Sequence, residues 1–443
     1  MPCAHPTQAV DPHPRGGAYD RPSVGFRFLH AADLHLDTPF TGLGATSPQV
    51  AQALRDASLL AFDDLVRTAI ARDVAFVVLS GDVYDGPERG IRAQLRVLRG
   101  VTRLAERGIA TFIAAGNHDP VEEGWSAVRE WPDLVTVFPA GEVVSVPVER
   151  DGRVLATVHG TSYARRATTE NLAVRFRRTD APGVHVGVLH ANVGGRPGHD
   201  PYSPCTVDDL VRTGLDYWAL GHVHTREVLH RDPWIVYPGN LQGRSPRPGE
   251  RGAKGVLIVE VDDAGTIGEP ELVALDRVRI DDATCEIDEL ADLGELHTRL
   301  RELGQQRLLA AEGRSLLLGV RLVGRGALHA DLRRPGAAAE LLQVLRDDAP
   351  LDPPFLWWDR LDVATTTPHD LDELRQRNDF VADLLEESTA MDEARRTALS
   401  EEWAAELPAD LSALLGDERP DPTAAARWQE AVRLAVDLVV EED

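Results

Sequence analysis

The 443-residue sequence predicts an α/β protein: two sheets packed together and flanked by helices, a small α/β domain, and a helical C-terminal region. Three observations carry this. From Phe26 onward, apolar runs of strand length alternate with segments of helical period, the pattern of parallel strands joined by crossover helices. Later segments are denser in strands, which fits two packed sheets better than one doubly wound sheet. Beyond Thr367 only helical stripes remain.

In order, FRFLHAA reads as a strand, Gln49–Ala71 as a helix and VAFVVLS (Val74–Ser80) as a buried strand. Ile91, Leu95, Leu98 and Leu104 form a helical stripe, and ATFIAA is a third strand. The strands EVVSVPV, RVLATVHG, VHVGVLH, DYWAL, WIVYP, GVLIVEV and ELVALDRVRI follow. The small domain reads helix (Leu293, Leu296, Leu300, Leu303), strand (SLLLGVRLV), helix (AAAELLQVL), strand (FLWWDRLDV). In the tail, Leu371, Leu374, Val381 and Leu385 make one stripe and Trp428, Val432, Ala435 and Val439 another, with Pro408 and DERPDP breaking the helices. The expected organisation is a leader (1–23), a large domain (24–278), a small domain (279–367) and an acidic helical region (368–443).

The leader is rich in Pro, Gly and His and lacks the apolar core of a signal peptide, so it is expected to be disordered. With 43% hydrophobic and 27% charged residues, the composition is that of a soluble globular protein. No apolar run approaches the roughly 20 residues of a membrane helix. Cys3, Cys205 and Cys285 are scattered and odd in number, which points to a reducing cytoplasm rather than a disulfide framework. The net charge of −25 is uneven: Asp281–Asp443 holds 37 acids against 17 arginines, and the first 280 residues hold 35 acids against 30 bases. The larger part is therefore close to neutral and can carry a local basic surface.

Five motifs share one design, a strand that ends in metal-type ligands. They are AADLHLD (Asp33, His35), LSGDVYD (Asp82), AAGNHDP (Asn117, His118), GVLHANV (His190) and LGHVHTR (His222, His224). Strand ends converge at one edge of a sheet, where α/β folds place their sites. A spacing of two puts Asp33 with His35, and His222 with His224, on one side of an extended backbone. Glycines 81, 116 and 221 permit the tight turns. Oxygen donors mixed with imidazole, without thiolate, suit manganese, iron or zinc. Seven ligands exceed one tetrahedral ion but suit two ions sharing a carboxylate, a pair that can hold both oxygens of an in-line displacement at phosphorus. Alone, each motif has an ordinary reading as a turn or a strand-end histidine. His30 and His159 keep that reading. Asp37, Asp85 and Asp119 stand beside the motifs, either supporting ligands or as solvated loop acids.

Taken in order, Asp-x-His, Gly-Asp, Gly-Asn-His-Asp, a lone His and Gly-His-x-His resemble the calcineurin-like metallophosphoesterases, over about Phe26–Leu275. The resemblance implies a two-sheet metallophosphoesterase sandwich. It implies Asp33, His35 and His224 as ligands of one metal, Asn117, His190 and His222 of a second, and Asp82 as the bridge. His118 resembles the family's non-ligand histidine, which assists the leaving oxygen while an activated hydroxide attacks.

GDVYD lacks the Asp-Arg-Gly of serine/threonine phosphatases. VYPGNLQGRSPRPGERGAKG (Val236–Gly255) resembles the corresponding block of bacterial DNA-repair exonucleases of the SbcD type, in particular their YhaO-like branch, and the small α/β unit resembles their capping domain. Asn240 and the cluster Arg244, Arg247, Arg251 and Lys254, the only lysine, are candidate contacts to backbone phosphates. The resemblance implies a metal-dependent DNA exonuclease, also open to endonuclease action, using two divalent ions, manganese first and iron or zinc as alternatives. It implies DNA as partner, an SMC-like coiled-coil ATPase of the SbcC type docked on the C-terminal helices, and room for a homodimer. A phosphoesterase of nucleotides or other small phosphates, and a scaffold that docks the ATPase, are the alternatives.

Overall fold

The computed structural model describes residues 24–42, 47–86, 90–123, 125–196, 200–366, 371–406 and 425–440; the leader with Cys3, Pro408 and DERPDP lie outside them. Within the described residues two compact units emerge: those up to Asp37, with Leu59–Leu241 and Gly255–Leu275, form the first, and Thr38–Ser58, Gln242–Lys254 and those from Asp276 onward the second.

In the first unit, four strands run parallel, β1 (Val24–Ala31), β2 (Phe76–Ser80), β3 (Ala110–Ala114) and β4 (Val135–Val137). Two antiparallel strands, β11 (Gly255–Asp262) and β12 (Glu271–Ala274), extend this sheet beyond β1, giving the order β12-β11-β1-β2-β3-β4. The other sheet has the order β5-β6-β7-β8-β10-β9. Its members are β5 (Val144–Arg150), β6 (Arg153–Gly160), β7 (Val184–His190), β8 (Tyr217–Gly221), β9 (Glu227–Arg231) and β10 (Trp234–Tyr237), with β6, β7, β8 and β10 parallel. β2, β7 and β8 are buried along their whole length, which is why they read as unbroken apolar runs rather than alternating ones.

Phe28, Phe76, Phe112 and Phe138 meet Val158, Val186, Val188 and Tyr217 in the layer between the sheets. Phe28 stacks on Phe76 at 4.9 Å and takes the edge of Tyr217 at 5.1 Å. Truncating one of these rings to Ala would cost about 3–5 kcal/mol. Outside the first sheet lie α2 (Ile91–Ala105) and the later turns of α1 (Pro48–Ala71), through Leu59, Phe62, Leu65, Val97 and Val101. Outside the second lie Leu172, Phe176 and Leu215, with Leu210 from α3 (Val207–Val211).

The second unit holds a parallel sheet, β13 (Val278–Glu286), β14 (Ser315–Arg325) and β15 (Leu356–Thr366), with β14 central. Leu316, Leu318, Val320 and Leu322 face a cluster that also takes residues of α4 (Leu293–Ala310), α5 (Leu328–Arg333) and α6 (Ala337–Asp348). The opposite face, with Leu317, Ile280, Phe355 and Trp357, packs with Val50, Leu54 and Ala57 from the first turns of α1. That apolar contact draws residues 38–58 into this unit. The tail helices α7 (Leu371–Arg375), α8 (Phe380–Ala390), α9 (Glu393–Glu406) and α10 (Ala425–Val440) belong to it as well, and Leu374, Val381, Leu385 and Val436 form a small core there.

ELVALDRVRI, one strand by pattern, is two: β12 ends at Ala274 and β13 starts at Val278. Between them Asp276 is buried and accepts from Arg279 at 2.7 Å and Arg314 at 3.1 Å, a charged knot that a continuous strand would not place there. Among the described residues no helix is long and apolar enough to cross a membrane.

Candidate metal centre

Asp33, Asp82, Asn117, His190 and His222 stand at or just beyond the C-terminal ends of β1, β2, β3, β7 and β8. Asp33 (φ 50°), His35 (41°), Asp82 (51°) and His222 (106°) carry positive backbone angles. Each such angle costs of the order of 1–3 kcal/mol and persists where the surroundings over-determine it. Here Asp33 N–H donates to Gly81 C=O at 3.1 Å and His35 N–H to Asp82 C=O at 3.0 Å, tying the two loops together. Gly116 is required for space: a Cβ there would lie 2.3 Å from Asp82 Oδ1.

His190 Nδ1 lies 3.0 Å from Ser80 C=O. A carbonyl only accepts, so Nδ1 carries the proton and Nε2 is the other donor atom. Nε2 stands 3.0 Å from Asn117 Oδ1 and 3.4 Å from Asp82 Oδ2. By the same logic His222 Nε2 donates to Asp200 C=O at 2.9 Å, so its Nδ1 carries the ring's lone pair. The His222 backbone N–H donates to both Asp33 carboxylate oxygens, at 3.1 and 3.0 Å. His35 Nε2 is 3.2 Å from His224 Nε2 and 3.7 Å from Asp82 Oδ2. Among the described residues three donor groups result, Asp33–His35–His224, Asp33–Asp82–His190 and His35–Asp85–His118, each with its donor atoms within 4.8 Å of one another. The first two share Asp33, and Asp82 Oδ2 lies near a ring from each.

Where a ring nitrogen carries a proton these contacts are hydrogen bonds, and where it is deprotonated the facing lone pairs suit a cation among them. Donors about 2.1 Å from an ion at angles of 90–109° are about 3.0–3.4 Å apart. The separations of 3.0, 3.2 and 3.4 Å therefore suit ligands of a common ion. The donor set fits divalent cations, with Asn117 and the carboxylates as oxygen donors and imidazoles as nitrogen donors.

The electrostatics agree. Burial works against charge on Asp82, but His190, His35 and His118 outweigh it and hold the carboxyl well below the usual range. Burial also opposes charge on His190, and Asp82 beside it reverses the balance, pushing the ring up to about 9. Burial raises the Asp33 carboxyl, with His190 and His224 pulling it back. Buried carboxylates and imidazoles held this close shift one another in these directions.

His118 lies at the rim, half-buried. Its Nδ1 is 2.6 Å from Asp85 Oδ1, and its backbone N–H donates to Asp82 Oδ1 at 2.9 Å. Exposed Asp85 also lies 3.4 Å from His35 Nδ1, so one acid stands beside both rings. Buried Asp119 accepts from Val83, Tyr84 and Gly116 and braces the Asp82 loop. Asp37 pairs with Arg92 at 3.4 Å. The carbonyls of Ser80 and Asp200, which set two tautomers, escaped sequence reasoning because a backbone oxygen has no residue signature.

Asn240 is buried and its N–H donates to His224 C=O at 3.2 Å, supporting that loop. Arg244, Arg247 and Lys254 belong to the second unit. Arg247 is exposed and Arg244 half-buried. Lys254 is 5% exposed and its Nζ donates to Gly249 C=O at 2.6 Å, so its ammonium braces its own loop.

A two-sheet sandwich with oxygen and imidazole donors gathered at its strand ends defines a class, the metallophosphoesterases. The calcineurin-like phosphoesterase family matches residues 26–226, and the middle domain of metallophosphoesterase YhaO matches 281–366. The metallophosphoesterase YhaO of Bacillus subtilis is 36% identical over 351 residues, covering 78% of this chain and 84% of that protein. The chain belongs to the YhaO-like family of calcineurin-like metallophosphoesterases. The DNA double-strand break repair protein Mre11 of Sulfurisphaera tokodaii is 25% identical over 241 residues, 53% of this chain and 59% of that protein. A crystal structure of a dimetal phosphatase from Danio rerio aligns with 54% of this chain and 94% of its own at 11% identity, with a TM-score of 0.32. Membership in the family implies hydrolysis of phosphoesters, and the family together with the donor groups suggests divalent metals.

Proposed function

We propose that the chain is a manganese-dependent DNA phosphodiesterase, an exonuclease acting in DNA repair. The observation that carries the chemistry is the overlap of the two donor groups on Asp33, with Asp82 close to both. The choice of DNA rests on the Mre11 relatives, of which the chain spans a little over half. In this reading Asp33, His35, Asp82, Asn117, His190, His222 and His224 hold two divalent ions. When bound, these ions offset charge on the phosphoryl oxygens and activate water. Asp85 accepts from His118 Nδ1 and fixes the ring, so His118 Nε2 handles the proton at the leaving oxygen. Asp119 keeps the Asp82 loop in register. Arg244 and Arg247 contact backbone phosphates. An SMC-like ATPase docks on the acidic C-terminal helices, where Phe380 is exposed. Buried Cys205 and Cys285 are free thiols, which suits a reducing cytoplasm.

The test is a ranking of rates. Full-length protein with Mn²⁺ is given single-stranded DNA, duplex DNA, a cyclic nucleotide and a phosphoprotein in separate reactions. DNA is expected to be hydrolysed fastest. Faster hydrolysis of the cyclic nucleotide or phosphoprotein would overturn the choice of DNA in favour of a small-phosphoester enzyme or phosphatase.

A further inference from the structure

A chain of polar groups runs across the outer face of the second sheet, apart from the metal centre. Ser145 lies on the edge strand β5, opposite His159 on β6. Its Oγ is 2.7 Å from His159 Nδ1. His159 Nε2 is 2.9 Å from His185 Nδ1, on β7, with the rings nearly parallel at 16°. His185 Nε2 is 3.0 Å from Ala181 C=O. Ser145 is exposed, and both histidines are 0% exposed.

The last acceptor sets the direction of the whole chain. Ala181 C=O can only accept, so His185 Nε2 carries a proton and His185 Nδ1 is an acceptor. His159 must then donate from Nε2, which leaves His159 Nδ1 with its lone pair on the Ser145 hydroxyl. A serine hydroxyl aimed at an imidazole that is itself oriented by a third group is the arrangement that activates a nucleophile. We propose that Ser145 is a second reactive centre, a base-activated nucleophile that accepts acyl groups from activated carboxylic esters, with His159 as its base and His185 positioning that base.

In the step, Ser145 Oγ bonds to the acyl carbon, its proton passes to His159 Nδ1, and the C–O bond to the alcohol breaks. His159 Nδ1 returns the proton to the departing alkoxide. Water then attacks the acyl-serine, loses a proton to His159, and frees the acid and the original hydroxyl. β5 is an edge strand, and such a strand offers backbone N–H groups to an acyl oxygen. The groups facing His159 are His185, Arg178 and Asp216, the last two paired at 2.7 Å. Burial, with His185 and Arg178 adding to it and Asp216 opposing, lowers the ring to about 4, so it is a neutral base at physiological pH.

The test uses the full-length protein in EDTA, which silences the metal centre, and an alkyl fluorophosphonate probe. The probe's P–F bond breaks as Ser145 Oγ bonds to phosphorus. Peptide mapping is expected to place the adduct on Ser145, at a rate level between pH 8 and 5.5. The adduct should vanish in Ser145→Ala and slow at least tenfold in His159→Gln, both of which keep the parent's manganese-dependent hydrolysis. His185→Asn, whose Oδ1 can replace Nδ1 as acceptor, should label several-fold faster than His185→Leu. A buried histidine with a merely structural role would not separate those two variants. Absence of a Ser145 adduct, or an adduct rate unchanged by His159→Gln, would overturn the proposal. So would a steep fall in rate between pH 7.5 and 5.5, since the base would then be an ordinary exposed histidine.

Discussion

His30 and His190 are buried to the same extent in the same sandwich, both at 0% exposure, yet their rings are pushed in opposite directions. His30 faces the Tyr217 hydroxyl at 3.0 Å and Leu220 C=O at 3.1 Å. Burial wins there, and the ring is lowered to about 3. At His190 burial acts the same way, but Asp82 at 3.4 Å reverses the outcome to about 9. Burial alone makes a histidine neutral and structural. Only with buried oxygen donors beside it does it become part of a seat for a cation. A strand histidine therefore says little about metal until the carboxylates at neighbouring strand ends are placed.

Removing that carboxylate charge should have the largest effect. Asp82→Asn turns the His190 environment toward that of His30. Because Asp82 Oδ2 lies 3.7 Å from His35 and 3.4 Å from His190, both donor groups should weaken together. Phosphodiesterase turnover is expected to fall by about 10³-fold or more, the scale of several kcal/mol of lost metal stabilisation. Elemental analysis should find well under two equivalents of metal. Two full equivalents in the purified variant would remove Asp82 as a bridge. His118→Ala tests the other side of the site. It should keep its metal and lose about 10²–10⁴-fold in turnover, the range of a general acid or base; unchanged manganese-dependent cleavage would take His118 out of the reaction.

Much of this site was legible because its strands are buried and parallel. FVVLS and VHVGVLH read as apolar runs, and Asp82 and His190 mark where those runs meet the ligand edge. Gly-Asp and Gly-Asn-His-Asp were visible because close packing leaves room only for glycine. Other features were hidden for physical reasons. β9 (EVLHR) is a half-buried edge strand without an apolar face, and β4 is three residues long. α1 changes unit between Ser58 and Leu59, inside one continuous helical period that no pattern divides. Residue type also conceals burial: Lys254 counted as a basic surface group although its ammonium is held by a backbone carbonyl.

His30 itself supplies a stability test. Its folded ring stays neutral down to about pH 3, whereas in the unfolded chain it protonates below its ordinary value of 6.5. The unfolded state thus binds more protons in that window, so stability is present above pH 6.5 and is lost as pH falls toward 3. At about 1.4 kcal/mol per pH unit, His30 alone should account for about 2 kcal/mol between pH 6.5 and 5. Urea titrations of wild type and His30→Gln at pH 7.5 and 5 measure this. The variant should lose about 2 kcal/mol less than wild type on acidification; parallel losses would mean that another group sets the acid sensitivity.

The smallest effect sharpens the same distinction among cations, between a charge already committed to the fold and one left for a ligand. Arg247 is exposed, while Lys254 is buried with Nζ on Gly249 C=O at 2.6 Å. If the chain grips DNA phosphates, Arg247→Ala should weaken DNA binding a few-fold and reduce the slope of log affinity against log salt by about 1, one counterion fewer being released. Lys254→Met should leave that slope unchanged and instead lower stability by about 1–3 kcal/mol, since Gly249 C=O loses its charged donor. Fluorescence anisotropy with a short duplex at several salt concentrations, set beside urea unfolding of both variants, separates the two roles. A salt slope that drops for Lys254→Met but not for Arg247→Ala would show that the lysine leaves its carbonyl to bind phosphate.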